Sequence, residues 1–243
     1  MLVTVVTGAL SAQKPSLATS YKHPGLLYNM SYAFQMPAAD LADRFGRNAN
    51  VGVSLEYRTG QNWLTGLEFN YAFGQKVLDD PLKFLRNSEG YIYGVNRQVG
   101  GVVLRERGYY GGGYVGRWFP KVRTKSASGP RFTVGLGFME HKIRIQDDQN
   151  TIAQLEGDYL KGYDRLSNGL AINQSVGWQY MSKGGANFSI ALEATEGFTK
   201  NRRSFDFELG KPMTGKRLDI LYGIRATWML PIYSFTPSEE IFY

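Results

Sequence analysis

Eight stretches of the chain alternate, residue by residue, between bulky apolar side chains and small or polar ones. Period-two alternation marks strands with two unlike faces. The stretches run over about 25–36, 50–59, 63–73, 108–119, 131–145, 168–181, 187–198 and 217–230. In "WLTGLEFNYAF" (63–73) the large set is Trp63, Leu67, Phe69, Tyr71 and Phe73, with Thr65 the exception; Leu64, Gly66, Glu68, Asn70 and Ala72 lie between them. The connections are of two kinds. Those after the second, fourth and sixth stretches (60–62, 120–130 and 182–186) are short or moderate and turn-like, whereas 37–49, 74–107, 146–167 and 199–216 are long and charged. One end of such a sheet carries tight turns and the other carries loops.

Two closed antiparallel architectures accommodate eight such strands: a soluble lipocalin-like barrel, apolar inside, and a membrane barrel, apolar outside. The small face decides between them. Gly66, Ala72, Gly135, Gly137, Ala171 and Gly177 suit a cramped interior and would only weaken strands whose small face met water. With that face inward, Glu56, Arg58, Glu68, Arg117, Glu193, Asp219 and Arg225 enter the lumen. Buried charges are tolerated only when they pair and hydrogen-bond, and the planar fork of Arg suits bridging carboxylates. For Arg117 and Asp219 a second reading stays open, as solvated charges near strand ends. The apolar face carries Trp63, Tyr71, Phe73, Tyr110, Trp118, Trp178, Tyr180, Tyr222 and Trp228, which fit aromatic girdles at the two membrane interfaces. The expected fold is all-β: an eight-stranded antiparallel transmembrane β-barrel with short periplasmic turns and long extracellular loops.

Composition agrees. The chain of 243 residues holds 29 Gly, 16 Tyr, 14 Phe and no Cys, which excludes disulfides and Cys-ligated metals. The net charge of +7 is scattered and carries no recognition motif, so no nucleic-acid partner is expected; a basic excess suits an anionic lipid or polysaccharide surface. No apolar run reaches the length of a transmembrane helix. "MLVTVVTGALSAQ" reads as the end of a signal peptide over residues 1–13, without its basic flank, the other reading being a first buried strand. The barrel then spans 14–233, and 234–243 form a periplasmic tail ending Ile241-Phe242-Tyr243.

In this pattern the chain resembles small eight-stranded outer-membrane barrels of the OmpA and OmpX kind. The leader ending "SAQ" and the stretches "DLADRFGRNANVG" (40–52), "KGYDRLSNG" (161–169) and "WMLPIY" (228–233) look more narrowly like Bacteroidota outer-membrane β-barrel proteins. Some of those accompany the type IX secretion and gliding machinery, which the resemblance implies as an envelope partner.

Little in the chain points to catalysis. Of two histidines, His23 and His141, the second lies beside Glu140 near the extracellular rim and is a candidate base. No nucleophile, base and orienting group can be named together. No metal cluster or cofactor fingerprint appears, and "GYYGGGYVG" lacks the strand-to-helix context of a phosphate loop. In the longest loop, "DDPLKFLRN" (79–87) predicts a short helix with Asp79 or Asp80 as N-cap. Phe45, Tyr159 and Tyr163 in the loops, and Ile241, Phe242 and Tyr243 in the tail, are candidate partner-binding residues, with ordinary solvated loops the alternative. The leading expectation is a non-enzymatic structural or interaction barrel in contact with outer-membrane lipid and envelope proteins. The alternatives are a lipid- or peptide-modifying barrel enzyme and a soluble lipocalin-like carrier.

Overall fold

The computed structural model describes residues 24–95, 98–123, 125–147, 152–182 and 185–234. Residues 1–13, expected to be the end of a signal peptide, and residues 235–243 of the expected tail, with Ile241, Phe242 and Tyr243, lie outside the described residues. Eight long strands form one sheet: β1 (Gly25–Ala39), β2 (Asn48–Arg58), β3 (Trp63–Gly74), β4 (Val102–Trp118), β5 (Ser126–Asp147), β6 (Ser167–Ser182), β7 (Phe188–Asn201) and β8 (Lys216–Ser234). Each is antiparallel to its sequence neighbours, and β1 pairs with β8 from Gly25↔Ser234 to Ala39↔Asp219, so the sheet closes into a barrel without edges. A five-residue helix, α1 (Asp40–Arg44), follows β1.

The alternation turns the barrel inside out relative to a soluble one. Leu67, Leu136, Leu170 and Ile224 are 70, 63, 63 and 56 % exposed, while Asn70, Glu56, Asn173 and Glu193 on the opposite faces are buried. An exterior of this kind is stable only against lipid, and closed barrels are the β-structures that leave no backbone group unpaired there. The carrier with an apolar interior is therefore incompatible with the fold.

The fourth strand departs from expectation. Tyr110, Tyr114 and Trp118 are buried and point into the lumen; Tyr109, Val115 and Arg117 face outward. The two tyrosines lie in hollows that glycines leave. A Cβ on Gly66 would stand 2.7 Å from Tyr114 Cζ, and one on Gly137 2.9 Å from Tyr110 Cζ. Glycine on both faces of "GYYGGGYVGRW" conceals its parity, and the bulky rings go where there is volume to fill. Tyr110 and Trp118 thus leave the predicted girdle. Arg117 leaves the predicted lumen network for the outer surface, 4.9 Å from the Trp63 ring and 5.3 Å from that of Phe119. β4 and β5 also run beyond the predicted limits, β4 starting at Val102 and β5 ending at Asp147.

Apolar side chains stopper both ends. Leu27, Leu64, Trp118, Ala127 and Met181 cluster at the turn end. At the loop end Leu41, Phe45, Leu82, Ile92, Ile143 and Ile152 join a larger cluster that continues into the lumen at Tyr110, Met139 and Leu221.

Candidate functional site: the lumen network and the loop cap

Between the two stoppers the lumen is polar and its charged side chains lie in tiers. Nearest the turns, Arg131 of β5 donates to both carboxylate oxygens of Glu56 of β2, from Nη1 at 3.0 Å and from Nη2, and Nη1 also reaches Gln179 Oε1 at 3.0 Å. The Tyr114 hydroxyl donates to Glu56 Oε2 at 2.7 Å, so three strands meet on one carboxylate. Arg58 sits beside it, 5.4 Å from the Trp118 ring, with Nη1 3.2 Å from Met181 Sδ.

In the middle tier Arg225 of β8 donates from Nε to Glu193 Oε2 at 2.5 Å, and from Nη1 to Ser31 Oγ at 2.6 Å and Asn70 Oδ1 at 2.8 Å. Gln35 donates to Glu193 Oε1 at 2.8 Å, and Asn70 to Glu68 Oε2 at 3.1 Å. Space in the lumen includes a cavity of about 50 Å³ lined by Glu68, Asn29, Thr133, Ser175 and their neighbours, and a second of about 20 Å³ beneath His141. Each has room for a few waters at most.

Of the predicted network, the structure therefore places Glu56, Arg58, Glu68, Glu193 and Arg225 in the lumen and Arg117 outside it. Arg131 is the lumen cation that sequence reasoning missed. It stands on the Thr133–Gly135 side of the fifth stretch, where a parity count extended by one step reaches it.

Above these tiers His141 and Asp219 are buried rather than at a solvated rim. His141 Nε2 lies 2.8 Å from Asp219 Oδ2, the same oxygen accepts from the Thr199 hydroxyl, and Arg217 Nη2 donates to Oδ1 at 3.0 Å. The solvated reading of Asp219 is overturned, since this carboxylate is fully enclosed. Phe45, read as a contact residue, is also fully buried: its ring packs edge-on at 5.7 Å against His141 and seals the histidine from outside. Its place in "DRFG", where α1 ends and the chain dives toward β2, explains why an aromatic in a loop faces inward.

The four loops form one cap. Arg44 at the end of α1 donates from Nη1 to the Arg165 carbonyl at 2.9 Å and to Ser167 Oγ at 3.1 Å. Burial, with Arg217 and Arg165 nearby, pushes its pKa down to about 9, so it remains a cation at neutral pH. Arg165, in the third loop, pairs with Asp79 of the second and with Asp206 and Glu208 of the fourth. Lys83 pairs with Glu208 too. The predicted helix in the second loop is a single 3₁₀ turn, Lys83–Leu85, and Asp80 is engaged before it, accepting from Leu82 N at 3.0 Å. Arg203 on the fourth loop pairs with Asp164, which raises the pKa of the guanidinium.

On the outer surface of this cap Tyr159, Phe205 and Phe207 are exposed, with Tyr163 half-buried behind them; Phe207 lies 5.2 Å from Tyr163, 5.4 Å from Phe205 and 6.3 Å from Tyr159. Phe207 is pressed onto Gly162, where its ring leaves no room for a Cβ. Among the described residues no group of three or more His, Asp or Glu is placed to hold a metal ion.

An apolar exterior, a packed polar lumen, short turns and long loops together make this a barrel of the outer-membrane type. No family model and no curated protein matches the chain. Solved structures similar to it include the Neisserial surface protein A, with 7 % identity and a TM-score of 0.47 over 85 % of this chain and 96 % of that one. A major outer membrane protein from Thermus thermophilus has 12 % identity and a TM-score of 0.44 over 85 % of this chain and 99 % of the other. Ail, the attachment invasion locus protein of Yersinia pestis, has 9 % identity and a TM-score of 0.41 over 86 % and 99 %. At these values none of them bears on what the chain does.

Proposed function

We propose that this outer-membrane barrel is a sealed, non-enzymatic interaction component of an envelope complex, offering its loop cap to a partner protein. The observation that carries this reading is the exposed aromatic cluster of Tyr159, Phe205 and Phe207, held at the outer tip by buried ion pairs around Arg165. Clustered exposed aromatics on a rigid support are the usual chemistry of protein contact sites, because they bury much area with little loss of side-chain freedom. At the loop end of the lumen the buried apolar cluster of Leu41, Phe45, Leu82 and Ile152 argues for a scaffold over a pore. The complex suggested by the resemblance is the type IX secretion and gliding machinery of Bacteroidota. The tail ending Ile241-Phe242-Tyr243 is a second candidate contact, on the periplasmic side.

Co-purification in mild detergent tests this reading. Partner proteins recovered with the full chain should be lost with Tyr159→Ser/Phe207→Ser if the cap is the contact, and with removal of 235–243 if the tail is. Recovery of the barrel without any partner, under conditions that preserve other envelope complexes, would overturn it. In planar bilayers the protein should show no conductance above background.

A further inference from the structure

The outward face of β4 and β5 changes character at the loop end of the apolar belt. There Arg107 stands directly opposite Lys142, and Arg105 opposite Arg144. Directly opposed residues on one face of an antiparallel pair have Cβ atoms about 5 Å apart, so these four cations form a two-by-two block. Like charges in direct opposition destabilise a sheet, and against these four cations the described residues set one electrostatically coupled carboxylate, that of Glu106 beside Arg107. None of the four pairs there with a carboxylate. Arg107 donates to the Glu106 carbonyl at 2.7 Å, and the Glu106 carboxylate itself is turned to the lumen, where it accepts from Asn48 at 2.9 Å; Glu140, the acid next to the block on this face, already accepts from Asn168 at 3.0 Å.

A second observation fixes the depth of the block. Beneath it lies an aromatic shelf facing lipid, with Tyr109 5.2 Å from Tyr71 and 5.9 Å from Phe69, and Tyr71 stacks at 6.0 Å on Phe73, which stands opposite Arg107. Farther down the same face of β4, Arg117 meets Trp63 at the opposite boundary. From 107 to 117 a strand of ordinary rise and tilt climbs about 23 Å, close to the height of the apolar band of such barrels. The four cations therefore stand at the headgroup level of the outer leaflet, where aromatic rings and cations gather.

We propose that Arg105, Arg107, Lys142 and Arg144 bind the phosphoryl groups of an outer-leaflet glycolipid bearing more than one phosphate, with its acyl chains lying over Tyr109, Tyr71 and Phe138. Guanidinium forks match phosphoryl oxygens two at a time, and two phosphates supply the negative charge that relieves four opposed cations. The shelf gives the chains a surface that a free inorganic anion would not use. This goes beyond general lipid contact, since it assigns one face of the barrel and one headgroup chemistry.

The full chain, reconstituted in phosphatidylcholine nanodiscs doped with a bisphosphorylated acylated glucosamine disaccharide or with its dephosphorylated form, provides the test, with lipid retained after detergent extraction counted by native mass spectrometry. The bisphosphorylated lipid should be retained and the dephosphorylated form should not. Arg107→Gln/Lys142→Gln should weaken retention about tenfold or more, given the worth of each cation near an anionic surface. Arg105→Gln/Arg144→Gln should do the same independently. Arg117→Gln/Lys121→Gln, at the turn end, should leave it unchanged. In pure phosphatidylcholine the first variant should unfold no earlier than the parent, because it removes an opposed like-charge pair. Equal retention of the dephosphorylated form, equal loss in the turn-end variant, or full displacement of the lipid by inorganic phosphate would each overturn the assignment.

Discussion

The lumen and the cap are both held by buried ion pairs, yet they are built in opposite ways. In the lumen, Glu56, Arg131 and Tyr114 come from three strands whose positions the ladder already fixes, so the side chains meet because the registers align. In the cap the loops share only short backbone contacts, the Phe45↔Val77 bridge and the bond from Phe207 N to the Gly162 carbonyl among them, and Arg165 ties them together by gathering Asp79, Asp206 and Glu208. The charges of the lumen are a consequence of the wall; those of the cap help to set the loop geometry. Removing a charge should therefore weaken the barrel in the first case and open the loops in the second.

The largest effect should follow from Glu56→Leu. It strands Arg131 in the lumen, and an uncompensated buried charge costs about 3–5 kcal/mol. The midpoint of urea unfolding in micelles should fall accordingly, while protease resistance of the loops in the folded fraction stays as it was. Arg165→Met should do the reverse. Proteases should cleave within 75–101 and 202–215, and the barrel should keep its heat-resistant compact form on gels. If both variants lower barrel stability equally, cap and wall are one cooperative unit. Gly66→Val sharpens the comparison within the wall: its Cβ would press on the Tyr114 ring and on the Leu55 carbonyl, 2.7 Å away, and overpacking of this kind costs about 1–3 kcal/mol. Arg203→Gln should have the smallest effect, under about 1 kcal/mol, since its pair with Asp164 is partly open to solvent. Local hydrogen exchange around Asp164 would register it.

The same contrast explains what could be read from the residues in order. Strand faces are legible because each residue's side follows from its neighbours, and so Glu68, Glu193 and Arg225 could be placed inside before any geometry was known. "GYYGGGYVGRW" resists because glycine removes the contrast on which parity depends, and Tyr110, Trp118 and Arg117 all fall on the faces opposite to those expected. The cap was illegible for a different reason. That Arg165 selects Asp79, Asp206 and Glu208 depends on four loops folding onto one another, and no local period encodes it. Phe45 shows the limit on a single residue, because an aromatic in a charged loop reads as a contact until the histidine beneath it is seen.

The pairing of Tyr114 with glycines has a consequence for how the chain threads itself into a wall. Alternation forbids a slip of one residue, which would turn every side chain to the wrong face, but it is indifferent to a slip of two. Tyr114 stands opposite Gly66 on β3 and Gly135 on β5. Were β4 displaced by two residues along β3, its ring would fall on Leu64 or Glu68, where a side chain already fills the hollow. The tyrosine thus acts as a key cut for one position, letting a growing barrel reject the misaligned hairpin that its hydrophobic pattern alone would accept.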